Sequence, residues 1–167
     1  MCAIVRHRKV NRDAGKGTTM NNTETMRGAD SDRGETRMRA ENNKKILLDL
    51  YNAVVARDFD AVESLLHEDF VEHNPGVAHD PGRSSGRQAF IDYFRKGDTP
   101  LSGAKVDIKR MIADDDYALV HYHLVNAQHP RGLAVVDILR VIDGRFSEHW
   151  DVLQEIPQSA ANPHTMF

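Results

Sequence analysis

Residues 133–153, LAVVDILRVIDGRFSEHWDVL, decide the fold because they contain two strand patterns joined by a tight-turn signal. The first ten residues are almost continuously apolar, which is typical of a strand that is buried on both faces. Asp143-Gly144 is the strongest hairpin signal in the chain, since both residue types tolerate the positive φ angles of a two-residue turn. The segment from Arg145 to Leu153 then completes an antiparallel pair of strands.

Two further strands are predicted immediately before this hairpin. Polar and apolar residues alternate over residues 106–110 and again over 117–125, and the period of two is that of a β-strand. The three consecutive aspartates at 114–116 are typical of a turn between them.

Helical periodicity is confined to the first part of the domain. Apolar residues recur on one helix face to about Arg57, with Asn42 or Asn43 as a candidate cap, and again from Phe59 to about His67. A third helix starts at a capping box, residues 85–88, and ends before Gly97. Helices followed by antiparallel strands predict an α+β fold in which the helices cover one face of a curved sheet.

Residues 1–40 differ in composition from the remainder of the chain. They contain no Phe, Tyr or Trp, and their apolar residues follow neither the helical nor the strand period. Nine Lys or Arg against five Asp or Glu give them a net charge of +4, which leaves -7 for residues 41–167. A nucleic-acid-binding arm is one interpretation, but the dispersed basic residues favour a solvated tail. A separate possibility is that translation starts at Met20, Met26 or Met38. We therefore expect a flexible extension over 1–40 and one domain over 41–167.

Composition excludes several classes of protein. The chain has 167 residues and a net charge of -3, which is the size of one domain without the charge excess of a nucleic-acid-binding protein. The single cysteine, Cys2, excludes an intrachain disulfide and a cysteine zinc site. No apolar run approaches the roughly 20 residues of a membrane span, and the apolar residues near the N-terminus are too few for a signal core. These features predict a soluble, cytoplasmic protein.

Asp137 is the most informative polar residue, because it interrupts an apolar strand where a charge is costly unless it is paired or functional. Counting back from a regular two-residue turn, Asp137 faces Trp150 and shares the more apolar face of the hairpin. Such surroundings raise the pKa of a carboxyl group and suit it to proton transfer near neutral pH. The alternative is a structural aspartate paired with a buried Arg or His.

Asp151 is the second candidate carboxylate. The regular register places Asp151 and His149 on the opposite, outer face of the hairpin, whereas a β-bulge near Trp150 would turn Asp151 inward. The outer face keeps enough apolar residues, among them Val136 and Ile138, to require a cover. One layer of helices cannot cover both faces, so we expect a homodimer through the outer face.

Three histidines complete the candidate site. His121 and His123 share one strand face and could bind a metal, line a polar cavity or be structural. A cupin-type metal site would place a Glu shortly after such a pair, but residues 126–128 are Asn, Ala and Gln, which disfavours a metal. His73 precedes the Asn74-Pro75 turn and could either project into the pocket or stabilise the turn.

Several segments together resemble the SnoaL-like polyketide cyclase family of the nuclear transport factor 2-like superfamily, and in particular its aldol-condensation-catalysing branch. They are FVEHNP at 70–75, GRQAF at 86–90, VVDILRVIDGR at 135–145 and EHWDVLQ at 148–154. The similarity extends from about Asn43 to the final NPHTMF. It implies a cone-shaped α+β barrel in which three helices close one mouth of a strongly bent antiparallel sheet.

The resemblance also implies acid–base chemistry without a cofactor, in which a pocket carboxylate moves a proton at the carbon next to a carbonyl group so that an enol attacks a second carbonyl. The leading hypothesis is a small enzyme acting on a carbonyl compound, and the alternative is a non-catalytic ligand-binding or dimerisation module of the same fold. In the enzyme, Asp137 is the general acid/base, and His73 or His121 polarises the substrate oxygen. The complete set of candidates is Asp137, His73 and Asp151 for catalysis, and His121, His123, Trp150 and Asn74 for substrate binding.

Overall fold

The computed structural model describes the backbone of residues 22–167 and the side chains from residue 32 onward. Three helices and five strands follow one another along this part of the chain, and their order confirms the predicted α+β fold. None of the described helices combines the length and apolar character needed to cross a membrane. The elements are α1 (Asn22–Ala56), α2 (Phe59–Leu65), β1 (Leu66–Glu72), α3 (Gly86–Lys96), β2 (Lys105–Ala113), β3 (Tyr117–Val125), β4 (Leu133–Ile142) and β5 (Arg145–Glu155).

The five strands form one sheet in the order β1-β5-β4-β3-β2. Strands β2 to β5 are antiparallel as predicted, but β1 pairs with β5 in parallel, so the sheet is mixed rather than wholly antiparallel. Strands β1 and β2 lie at opposite edges, and the sheet therefore does not close into a barrel. The sequence pattern predicts no strand at β1, because only Leu66, Phe70 and Val71 are apolar there.

Helix α1 is longer than the sequence pattern predicts. It begins at Asn22 rather than at Asn42 or Asn43, so residues 22–40 of the expected flexible extension are helical. Residues 32–39 are exposed, and apolar periodicity, which reports burial, gives no signal for a helix that is solvated on all sides. The expectation for residues 1–21 lies outside the described part of the chain.

Asn43 connects helix α1 to the sheet instead of capping the helix. Its side chain is buried, and its Nδ2 donates hydrogen bonds to the backbone oxygens of Asp114, at 2.8 Å, and Asp115, at 3.2 Å. These oxygens belong to the β2–β3 turn that the three aspartates predict. These two hydrogen bonds hold the C-terminal half of α1 against the sheet.

Helix α3 has the predicted ends. The side chain of Ser85 accepts a hydrogen bond from the backbone N–H of Gln88, at 3.1 Å, and Gly97 ends the helix in the left-handed conformation at φ 76°. Glycine is also required at the first helical position, because a Cβ atom on Gly86 would overlap the backbone oxygen of Phe70 in β1. The contact fixes α3 against the edge of the sheet.

The core lies between the helices and one face of the sheet, called here the inner face. Alternate residues of β3 and β4 point into it and are almost completely buried. They pack against the apolar faces of α1 and α3. The central members are Leu47, Leu50, Phe90, Ile91, Val120, Tyr122, Leu124, Val135, Leu139 and Phe146.

The β4–β5 hairpin starts in the predicted register and then shifts by one residue. Asp143 and Gly144 form the turn, with φ angles of 50° and 73°, and Val141 pairs with Phe146 as expected. The next pair joins Arg140 to Glu148. Ser147 is therefore an extra residue in β5 without a partner position in β4, and it forms a β-bulge.

The bulge reverses the faces of β5 from Glu148 onward. Asp137 pairs with Asp151 and not with Trp150, and Trp150 pairs with Ile138 on the outer face. The expectation that His149 faces outward is therefore wrong, and the bulged alternative for Asp151 is the one that occurs. Successive side chains of a strand point to opposite faces. One inserted residue therefore moves every side chain after it to the face opposite the predicted one.

Candidate active site

Asp137 lies at the centre of a cluster of polar side chains on the inner face. The cluster, called here the polar group, consists of Tyr51, Glu72, Tyr122, Asp137 and His149. Strand β4 buries it to 8% exposure, and its Oδ2 accepts hydrogen bonds from Tyr51 of α1 and from Tyr122 of β3, the latter at 3.3 Å. The two tyrosine rings meet edge to face with their centroids 5.6 Å apart. On the other side, Nε2 of His149 lies 4.0 Å from Oδ1 of Asp137. The carboxylate is thus bracketed by two hydroxyl groups and one imidazole.

Glu72 and His149 form a buried ion pair behind Asp137. Parallel pairing of β1 with β5 sets Glu72 beside His149, whose Nδ1 is 3.0 Å from both carboxylate oxygens of Glu72. The Glu72 side chain is 1% exposed, and its Oε1 also accepts a hydrogen bond from the backbone N–H of Asn74, at 2.7 Å. Because Nδ1 is occupied by Glu72, Nε2 of His149 points toward Asp137.

Burial and neighbouring charges set the protonation states of this group. Burial alone lowers the pKa of His149, but the carboxylates of Asp137 and Glu72 outweigh it and raise that pKa to about 10. Burial, together with the charge of Asp137, raises the pKa of both Tyr51 and Tyr122. At neutral pH, therefore, His149 is an imidazolium and both tyrosines are hydrogen-bond donors.

A small cavity of about 40 Å³ opens onto these polar groups. Tyr51, Asp137 and His149 provide its polar wall, and every other lining residue is apolar. The volume accommodates about three water molecules, and the low polarity of the walls strengthens the electrostatic interactions inside. The apolar lining consists of Leu50, Val54, Phe90, Phe94, Leu101 and Leu139.

His121 and His123 do not line the cavity, so the expectation that one of them faces the pocket is wrong. They lie on the outer face of β3, between inward-facing Val120, Tyr122 and Leu124, and their rings pack on Phe167 with centroids 5.3 and 4.8 Å away. Both faces of this strand contain apolar residues, so the sequence pattern does not separate inner from outer. In the part of the chain with described side chains, no three His, Cys, Asp or Glu residues are grouped as a metal site requires.

His73 and Trp150 also lie outside the cavity, and their expected places in the site are wrong. The two rings stack with their centroids 4.7 Å apart and an interplanar angle of 6°. Nε2 of His73 lies 3.3 Å from Oε2 of Glu148, which in turn pairs with Arg140 on the outer face. The β5 bulge is the cause for Trp150, because it moves this ring to the outer face beside Ile138.

Asp151 and Asn74 lie next to the site but do not line the cavity. Asn74 Nδ2 donates a hydrogen bond to Oδ2 of Asp151, at 2.5 Å, while its backbone N–H holds Glu72. Burial raises the pKa of Asp151, and the nearby carboxylates of Asp137 and Glu72 add to this effect while His149 opposes it. Both residues therefore support the polar group from the β1 side.

Four residues of the polar group are missing from the sequence prediction: Tyr51, Tyr122, Glu72 and His149. Tyr51 and Tyr122 could have been noticed, because each places a hydroxyl group on an apolar helix or strand face. Glu72 lies in an unpredicted strand, and His149 becomes inward-facing only through the bulge, so neither carries a local signal.

The comparisons with known proteins assign the chain to a family. The model of the SnoaL-like domain matches residues 47–149, which is more than half of the chain. The protein belongs to the SnoaL-like domain family. The matched range of this SnoaL-like protein includes all five residues of the polar group, Tyr51, Glu72, Tyr122, Asp137 and His149. No curated protein matches its sequence.

Several solved structures have a similar fold, among them an NTF2-like protein of unknown function from Burkholderia xenovorans that is 16% identical, with a TM-score of 0.58 over 72% of this chain and 89% of its own. A candidate ketosteroid isomerase from Kribbella flavida is 20% identical, with a TM-score of 0.58 over 77% of this chain and 89% of its own. IdmH, a candidate polyketide cyclase from Streptomyces antibioticus, is 19% identical, with a TM-score of 0.52 over 66% and 91%. An LEH-like epoxide hydrolase from M. tuberculosis is 23% identical, with a TM-score of 0.54 over 69% and 84%. At these identities the similarity establishes the fold alone.

Proposed function

We propose that the protein is a small-molecule enzyme that transfers a proton at the carbon next to a carbonyl group, with Asp137 as general acid/base and no cofactor. The observation that supports this most is the buried carboxylate of Asp137 at an apolar cavity, bracketed by the donors of Tyr51, Tyr122 and His149. The reaction is an enolisation, and it becomes an aldol condensation or a cyclisation when the enol attacks a second carbonyl group.

In the proposed step, Asp137 accepts a proton from the α-carbon of the substrate. The electrons of the broken C–H bond form a C=C bond, and the carbonyl oxygen becomes an enolate oxygen. Nε2 of His149 lies 4.0 Å from Oδ1 of Asp137, too far for a direct hydrogen bond, so its N–H is available to donate to a substrate oxygen that lies in the cavity beside the two groups. His149 thereby replaces His73 and His121 as the group that polarises the substrate oxygen.

The ion pair with Glu72 supports this role of His149. A pKa of about 10 keeps the imidazolium charged at neutral pH, so it stabilises the negative charge that develops on the substrate oxygen. Protonated Tyr51 and Tyr122 hold one carboxylate oxygen of Asp137 in place, and the other oxygen remains toward the imidazole. The polar group is then oriented before substrate binds, as acid–base catalysis requires.

The predicted homodimer is also part of the proposal. The outer face of the sheet leaves several apolar side chains exposed: Val71 at 45%, Tyr117 at 40%, Ile142 at 38% and Val152 at 61%. A second copy of the chain, related by a two-fold axis, would bury these side chains against the same face of its own sheet. The cytoplasmic location likewise remains a prediction.

Exchange of α-protons in D₂O tests the proposed chemistry without knowledge of the natural substrate. Propiophenone is a neutral ketone with two exchangeable α-protons, and proton NMR follows their loss. Wild-type protein should accelerate the exchange, and Asp137→Asn, which preserves the shape of the side chain, should lower the rate about 10²- to 10⁴-fold. A non-catalytic binding module would bind the ketone without accelerating exchange, and this result would refute the proposal.

A further inference from the structure

A second, larger groove lies beside the cavity of Asp137. Its volume is about 420 Å³, against about 40 Å³ for the inner cavity. The ends of α1 and α3 form two sides, and the loop of residues 97–104 forms a third. Val54, Phe94 and Leu101 line both spaces, so the groove and the cavity share one apolar wall.

The inner cavity alone is too small for a substituted carbonyl compound. Ligand sites in proteins usually enclose roughly 300 to 1,000 Å³, and the outer groove reaches this range whereas the cavity does not. The groove across the shared wall is the adjacent space that is large enough for the remainder of a substrate whose carbonyl group lies beside Asp137.

Leu101 is the residue of the shared wall that lies outside a helix. Val54, Phe94 and Leu101 are all partly buried against the core, but Val54 belongs to α1 and Phe94 to α3, whereas Leu101 lies in the loop. The loop backbone is fixed around it, because Ala104 N–H donates to the Leu101 oxygen at 3.1 Å and Asn126 Nδ2 donates to the Pro100 oxygen at 2.9 Å. Rotation of one side chain on a fixed loop would connect the two spaces.

The groove is suited to an uncharged occupant. Arg57 is the one charged residue among its lining residues in the described chain. Its guanidinium already donates to the backbone oxygens of Phe94, at 3.3 Å, and Arg95, at 2.8 Å, and lies over the Phe59 ring at 5.3 Å. Aliphatic side chains, including Val55, provide much of the remaining surface.

We infer that this outer groove is the second half of the substrate site, and that it binds the uncharged apolar part of a ketone whose carbonyl group lies beside Asp137. The inference rests on the proposed function, because it takes the reacting end of the substrate from it. It adds the substrate class, a neutral ketone with an apolar or aromatic substituent, and it makes Leu101 and the groove residues determinants of specificity.

Binding of 6-propionyl-2-(dimethylamino)naphthalene tests the inference, because this neutral aryl ketone fluoresces at shorter wavelength in an apolar site. Val55→Glu places a carboxylate in the groove at a helix position that is 71% exposed. Met38→Glu is the matched control, since Met38 lies on the same helix, is 67% exposed and does not line the groove. Val55→Glu should raise the Kd by about tenfold or more, and Met38→Glu should leave it within about twofold.

Ser102→Trp provides a second variant that fills the groove from the loop, and it should also raise the Kd by about tenfold or more. The inference is wrong if wild-type protein shows no saturable binding, or if both groove variants bind the ketone as Met38→Glu does. These outcomes are separate from failure of the proposed function. Loss of α-proton exchange in Asp137→Asn with unchanged ketone affinity in Val55→Glu would contradict the groove alone, and the reverse pattern would contradict the catalytic role alone.

Discussion

Replacing Glu72 by Gln removes the negative charge behind His149 while preserving the shape of the side chain. In the folded protein the pKa of His149 is about 10, against 6.5 for an ordinary histidine. This difference corresponds to about 5 kcal/mol in favour of the imidazolium, which is what remains after burial has opposed the effect of Asp137 and Glu72. Removing one partner of a buried ion pair costs about 3 to 5 kcal/mol, so Glu72→Gln should lower the free energy of unfolding by about 3 kcal/mol near pH 7.

The raised pKa of His149 also predicts how the free energy of unfolding changes with pH. The pKa of His149 is higher in the folded than in the unfolded chain, so its stabilising contribution is complete below about pH 6.5 and is lost as the pH rises through about 10. Within this window the free energy of unfolding should fall by up to about 1.4 kcal/mol per pH unit. In Glu72→Gln the fall should end at a lower pH, because the pKa of His149 decreases when Glu72 no longer contributes its charge and only Asp137 raises it.

Urea unfolding at about pH 7, 8 and 9, with NMR titration of the His149 ring, measures both effects. Glu63→Gln is the control, because Glu63 forms an ion pair with Arg87, at 3.3 Å, and its side chain is 51% exposed. That variant should change stability by less than about 1 kcal/mol. Titration of His149 near 6.5 in the wild type, or equal stability losses in Glu72→Gln and Glu63→Gln, would refute the buried ion pair.

Three further results follow from the fold. Ser85→Ala removes the hydrogen bond to the N–H of Gln88 and should lower the free energy of unfolding by about 1 kcal/mol, measured by urea unfolding; an unchanged value would contradict the capping role. Removal of residues 1–40 should leave the domain folded by circular dichroism, because residues 32–39 are exposed, and loss of cooperative unfolding would contradict this. Sedimentation should give a dimer at micromolar concentration, and a monomer would eliminate the outer-face interface.

Local signals in the sequence were sufficient for much of the fold. The Asp143-Gly144 turn and the Ser85 cap depend on residues close together in the chain, and both have the predicted geometry. The bulge between Phe146 and Glu148 has no comparable signal, and it alone reversed the predicted faces of His149, Trp150 and Asp151. Strand β1 could not be predicted either, because it pairs with a strand more than 70 residues later.

The candidate site was predictable only at its centre. A charged residue within an apolar strand is visible in the sequence, and Asp137 does lie at the cavity. Its surroundings come from elements far apart in the chain: Tyr51 is 86 residues away, and Glu72 and His149 are 77 residues apart. Side chains that meet only after folding leave no spacing pattern, which is why the sequence favoured His73 and His121 as partners instead.

Side-by-side exchange rates of Asp137→Asn and Asp151→Asn test the assignment of the general base. The two aspartates pair across the hairpin on the same face, but only Asp137 lines the cavity. With propiophenone in D₂O, Asp137→Asn should lower the rate of α-proton exchange about 10²- to 10⁴-fold relative to wild type. Asp151→Asn should lower that rate by less than about tenfold. A full wild-type rate in Asp137→Asn, or a larger loss in Asp151→Asn, would contradict the role of Asp137.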